Sequence, residues 1–174
     1  MSRPGRIRLL AAAVVVLAAA ALAACGDESA EPATTASPAG VVTVYFVDAS
    51  GRLVPERRER GAGAEPLEAA VEALADGPVD PSLVPALPEG TRLLGARVVD
   101  GVAEVDLSAE LETGYPPGGS AAELAVVAPL VRTAAEAAGA RRVRILVEGR
   151  APAPAGAQID LGEPLAPGDV PTGG

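Results

Sequence analysis

Asp100-Gly101 separates two runs, Thr91 to Val99 and Val102 to Leu107. Asp-Gly between alternating apolar residues is among the strongest short-range hairpin signals. In the second run Ala103, Val105 and Leu107 point one way and Glu104 and Asp106 the other, so the pattern predicts a strand buried on one face and wet on the other. A tight hairpin here argues against regular alternation of strand and helix, and it fixes the frame for the rest of the chain.

Val41 to Asp48 is β-branched and aromatic, and Asp48-Ala49-Ser50-Gly51 supplies turn chemistry before a second strand, Arg52 to about Arg60. Pro55 lacks a ladder donor, and charges crowd positions 56 to 60, which places that strand at a sheet edge. Glu65 to Asp76 reads as an amphipathic helix with Pro66 in its first turn and Leu67, Ala70, Val71 and Leu74 at helical spacing, stopped by Gly77-Pro78. Four prolines between residues 78 and 90 predict an irregular crossover. Ser120-Ala121-Ala122-Glu123 has the form of a capping box and opens a second helix, with Leu124, Val127, Ala128, Val131, Ala134, Ala135 and Ala138 on one stripe, Pro129 interrupting it and Gly139 ending it. Val143 to Glu148 is the last strand, and Gln158 to Leu161 offers a short edge strand. The order ββαββαβ gives an α+β single domain, a mainly antiparallel sheet with two helices on one face. The boundaries read from the sequence are 41–165 for the domain and 166–174 for a flexible tail.

Ahead of the domain, Arg3, Arg6 and Arg8 precede a run from Leu9 to Ala24 with no polar residue. Basic residues, an apolar stretch and small residues before a cleavage point are the parts of a secretory signal. Leu22-Ala23-Ala24-Cys25 resembles the lipobox of bacterial lipoproteins, so residues 1–24 read as a signal peptide and Cys25 as the lipidated N-terminus of the mature chain. A membrane-crossing helix needs about 20 apolar residues, and this run has 16, mostly alanine. Two acyl chains suffice for stable anchoring, which places the protein on the extracytoplasmic face of the membrane. Residues 26–40, rich in Pro, Ser, Thr and acid, form a disordered tether reaching about 20 Å.

Processing leaves eleven arginines against twenty-three acids, a net charge of −12. Such a chain is repelled by phosphate backbones, which excludes nucleic acid as a partner. The same charge is expected to hold the domain off anionic headgroups. Histidine and lysine are absent and the one cysteine is committed to lipid, so Ser-His-Asp and Cys-His centres and zinc sites built on His and Cys are out of reach. No phosphate loop and no Asp-rich calcium loop occurs, and no cofactor or metal is implied. What remains is carboxylate chemistry on Glu104, Asp106, Glu110 and Glu112, the distant alternative of a glycan hydrolase; the same acids fit a solvated face. Tyr115, on the loop Tyr115-Pro116-Pro117-Gly118-Gly119, and Tyr45 are candidate contacts for a protein or a glycan. Tyr115 packing over its own sheet is the competing reading.

Val41 to Asp48, Leu67 to Pro78, Pro88 to Leu111 and Arg141 to Arg150 together resemble the GerMN domain, found in sporulation and spore germination lipoproteins and in many actinobacterial lipoproteins. Its most specific pieces here are Asp76-Gly77-Pro78 and Asp100-Gly101 followed by Val105-Asp106-Leu107-Ser108. The resemblance implies a non-catalytic module of the cell envelope, similar in shape to ring-building domains, that binds an envelope protein or acts as a scaffold. Recognition of peptidoglycan or another wall glycan is the alternative. The chain departs from the pattern in carrying a single copy of the domain, and in Pro129 and Arg132, where the family usually has Gln and Tyr.

Overall fold

β1 (Gly40–Val47) and β2 (Leu53–Arg60) form one antiparallel sheet, and β3 (Leu93–Val99), β4 (Val102–Leu107) and β5 (Arg142–Val147) form another, ordered β3-β4-β5. α1 (Pro66–Ala75), α2 (Glu110–Thr113) and α3 (Ser120–Ala138) complete the fold. This computed structural model describes residues 39–114, 120–152 and 159–171. The lipobox residues Leu22, Ala23 and Ala24, the lipidation site Cys25, the tether to Pro38 and the candidate contact Tyr115 lie outside the described residues.

The α+β class and the order of the principal elements agree with the sequence reading, and the described residues belong to one compact unit. Alternation sets the core. Val42, Val44 and Phe46 of β1, Ala103, Val105 and Leu107 of β4, and Val143, Ile145 and Val147 of β5 are all buried. Burying each large apolar side chain contributes about 1.5–3 kcal/mol. α1 and α3 pack against each other; α1 also meets β1 and β3, and α3 meets β1, β4 and β5. In the hairpin turn Asp100 and Gly101 both have positive φ, 51° and 77°, as a type I′ turn demands.

Four details differ from the expectation. The strands divide into two sheets because the free edge of β1 is already covered: the Tyr45 N–H donates to Thr133 Oγ1 at 2.9 Å, and Val84 bridges to Val47. β4 and β5 pair in parallel, with α3 supplying the long crossover a parallel pair requires. The four-residue α2 was not anticipated. Finally, the edge of β5 is met by Leu165, which bridges to Val143; of the short edge strand expected at Gln158 to Leu161, Gln158 lies outside the described residues and residues 159–161 form no strand. The core also continues past residue 165: Val170, in the segment read as a flexible tail, is 4% exposed. Isolated apolar residues among Pro and Gly carry no periodicity, so this return strand-side packing leaves little trace in the sequence.

Pairing also explains Pro55. It sits opposite Tyr45, whose N–H points away from β2 toward Thr133, so the two residues form a non-hydrogen-bonded pair. The proline nitrogen therefore faces the open edge of β2, where a missing donor costs nothing.

Candidate functional site

On β1 the inward residues are Val42, Val44 and Phe46, which leaves Tyr45 on the opposite face, beside α3. Its hydroxyl donates to Glu136 Oε2 at 2.6 Å, and the Arg132 guanidinium lies over the ring, 5.3 Å from its centroid. Arg132 and Glu136 are one helical turn apart, with Nη2 and Oε2 separated by 3.8 Å. Burial first, then the hydrogen bond to Glu136, raises the Tyr45 pKa above its ordinary value, so the phenol stays a donor. The backbone of the same tyrosine is fixed by buried Thr133. One strand residue is thus held at two points by α3.

Two shallow depressions flank this cluster. One, of about 260 Å³, is lined by Tyr45, Leu53, Ala128, Arg132 and Pro167. The other, of about 240 Å³, is lined by Arg132, Ala135, Glu136, Gly139, Ala140 and Pro167. Arg132 and Pro167 border both, so the guanidinium stands as a ridge between two small-residue floors. Tyrosine and arginine are the side chains that most often dominate binding energy at protein interfaces.

Sequence reasoning singled out Tyr45 and missed Glu136 and Pro167 as its neighbours. The spacing of Arg132 and Glu136 on a helix was a usable signal. Pro167 left none, since it comes from the segment read as loose.

The acids weighed for hydrolysis are each engaged by a neighbour, while Oε2 of Glu104 and Oε2 of Glu110 are buried without a hydrogen bond among the described residues. Glu104 stands between two cross-strand neighbours, with Arg97 Nη2 at 2.6 Å and Arg144 Nε at 3.9 Å. Asp106 accepts the Gly149 N–H at 2.9 Å. Glu112 is bound by both terminal nitrogens of Arg150, at 3.0 and 2.7 Å. Glu110, hydrogen-bonded by the Ser108 side chain, is held below the usual carboxylate range. Glycoside hydrolysis needs one carboxyl kept protonated. The carboxyls whose pKa shifts, Asp48, Asp80 and Glu110, all shift downward. Among the described residues no group of three or more His, Cys, Asp or Glu is placed to hold a metal ion, and no helix is long and apolar enough to cross a membrane.

The family described as "Germane: Sporulation and spore germination" matches residues 43–152. No curated protein matches the chain. The tandem GerMN domains of the sporulation protein GerM from Bacillus subtilis superpose with a TM-score of 0.59 at 21% identity, over 80% of this chain and 49% of that one. This chain therefore spans about half the length of the tandem structure. A protein from Clostridium perfringens, described as a candidate lipoprotein, gives 0.53 at 24% identity, over 76% of this chain and 91% of its own. The first GerMN domain of GerM taken alone gives 0.52 at 21% identity, over 63% and 84%. At such identities the likeness is one of fold, whereas the family match covers well over half of the sequence. The chain belongs to the GerMN-domain family of sporulation and spore germination proteins.

Proposed function

We propose that this protein is a non-catalytic lipoprotein, anchored through Cys25 to the extracytoplasmic face of the membrane, whose GerMN domain binds another envelope protein. The observation that carries the reading is the cluster of half-buried Tyr45 with exposed Arg132 and Glu136 between two shallow depressions. It offers an aromatic ring, a cation and an anion on rigid elements, which suits recognition of a protein surface. The partnered state of Glu104, Asp106 and Glu112 supports a structural use of the acids that a hydrolase would need.

The Tyr45 ring already carries a guanidinium on one face. A sugar would have to displace it to stack there, which favours a protein over a wall glycan at this site. The lipobox and the candidate lipoprotein among the similar structures support the anchor.

A photo-crosslinking residue at Leu53, on the rim of the first depression, tests the reading in intact cells. The expected result is a discrete protein adduct whose yield falls at least tenfold in Arg132→Glu. A folded, membrane-fractionated chain that forms no protein adduct overturns protein binding. Retention on purified wall material in its place would transfer the site to the glycan alternative.

A further inference from the structure

Two sheets have four edges, and three of these are occupied or guarded. Thr133 and Val84 cover the edge of β1, and Leu165 meets that of β5. β2 carries Pro55 and a run of charges, which deter the addition of another strand. β3 is different. Among the described residues no segment pairs along its outer side, and Arg97 is its one charged residue. Leu94 and Val98 are each 52% exposed and Val99 is 39% exposed, so the strand is apolar where it is open.

Register shows which backbone groups face that opening. A two-residue type I′ loop closes on a hydrogen-bonded pair, here Val99 with Val102. Alternation then makes Arg97 with Glu104 a bonded pair, and leaves Ala96 with Val105 and Val98 with Ala103 as non-hydrogen-bonded pairs. The N–H and C=O groups of Ala96 and Val98 therefore point out of the sheet, four groups able to receive one more antiparallel strand.

The rows across the sheet define what that strand must carry. Arg144, Glu104 and Arg97 lie side by side on β5, β4 and β3. Glu104 is 3.9 Å from Arg144 and 2.6 Å from Arg97, so the row runs cation, anion, cation and ends on a guanidinium whose side chain is 70% exposed. The rows on either side, Ala96 with Val105 and Ile145, and Val98 with Ala103 and Val143, are wholly apolar. Extending each row by one residue calls for an acid opposite Arg97 and an apolar residue on each side of it. A second copy of the chain does not meet this requirement. The antiparallel self-pairing that uses all four groups would set Arg97 of one copy against Arg97 of the other, and like charges directly opposite destabilise a sheet.

We propose that the edge of β3 accepts an extended segment of another protein, antiparallel to β3, with apolar, acidic and apolar residues facing Val98, Arg97 and Ala96 in turn. Backbone hydrogen bonds at Ala96 and Val98 hold the added strand, and Arg97 selects it by charge. The proposal goes beyond the Tyr45 reading and does not rest on it, since β3 belongs to the other sheet.

A fluorescently labelled peptide, Ser-Thr-Val-Glu-Val-Thr-Ser, is titrated with the full chain in detergent micelles and followed by anisotropy. It is expected to bind at least about threefold more tightly than the same peptide with lysine in place of glutamate, the difference between opposite and like charges in a cross-strand pair. Arg97→Gln should erase that preference. Methylating the backbone nitrogens of both peptide valines removes the donors that would face β3 and should abolish binding. Val98→Pro takes away an outward donor, as Pro55 does on β2, and should keep the melting temperature while losing the peptide. The methylated peptide carries the test if that variant does not fold. Equal affinity for the glutamate and lysine peptides, undiminished binding of the methylated one, or no binding of any overturns the proposal. So does a dimer of the full chain in sedimentation that Val98→Pro disrupts, which would give the edge to a second copy.

Discussion

Arg58 Nη2 lies 2.7 Å from Glu56 Oε2 on the inner side of β2, and this pair ties the strand to the crossover that follows α1. Glu56 accepts the N–H groups of Val79 and Asp80, at 3.1 and 2.9 Å. Arg58 donates to the Gly77 carbonyl at 2.8 Å and packs over the Phe46 ring. Charges that read as edge protection are therefore also structural on their inward face.

Removing the carboxylate should take the acceptor from two backbone donors and leave the half-buried guanidinium with the Gly77 carbonyl alone. Glu56→Ala is expected to cost about 1–3 kcal/mol, the range for taking a hydrogen-bond partner from partly buried groups. Glu56→Gln, which keeps an acceptor oxygen, should cost less. Urea unfolding measures both. A loss below about 1 kcal/mol for the alanine variant would mean that the crossover is held by its apolar residues alone.

Thr133 makes a sharper test of how α3 holds β1. Its hydroxyl is buried and accepts the Tyr45 N–H, so Thr133→Val keeps the shape and strands one backbone donor. The expected cost is about 1–3 kcal/mol. The Tyr45 amide should exchange with solvent faster relative to its neighbours on β1. Unchanged protection at that amide would count against the contact.

Glu123 runs the other way. Only 2% of it is exposed, and among the described residues neither carboxylate oxygen has a hydrogen-bond partner. The capping box suggested by Ser120 to Glu123 is therefore not completed from the glutamate side. A buried, unsatisfied carboxylate is a liability that an apolar side chain of similar length removes. Glu123→Met should stabilise the domain by about 1–3 kcal/mol, read as a higher melting temperature in calorimetry. A lower melting temperature would show that the carboxylate is used by something the isolated fold lacks.

The sequence made most of the scaffold legible where periodicity was strong. β4 alternates cleanly and is buried as its pattern predicts, and the Asp100-Gly101 turn has the positive φ values its residues favour. What stayed hidden depends on contacts between distant segments. The pairing of β4 with β5 joins residues about 40 apart, and the edge of β1 is covered by a threonine hydroxyl in the middle of a helix and by Val84 from the crossover. The site was half legible: Tyr45 stood out as an aromatic in a chain with three aromatic residues, but only the fold brings Arg132, Glu136 and Pro167 to it. Conversely, Glu104 and Asp106 stood out as a pair on one face and prove to be separately engaged.

The pH dependence of stability follows from the shifted carboxyls. Asp48 is held well below its ordinary pKa, chiefly by the Ser50 side chain and then by Arg52. Asp80 is lowered by Ser82, and Glu110 by Ser108. A carboxyl whose pKa is lower folded than unfolded stabilises the fold above the unfolded value, because the unfolded state takes up the proton first as pH falls. These three contributions are therefore complete above about pH 5 and are lost progressively below about pH 4. The chain contains no histidine to add a transition near neutrality. Urea midpoints should be flat between pH 5 and 8 and fall on acidification, and Asp48→Asn should lower the plateau while making the acid decline shallower. A midpoint in Asp48→Asn that declines as steeply as in the parent would show that the Ser50 and Arg52 contacts do not set the carboxyl in solution.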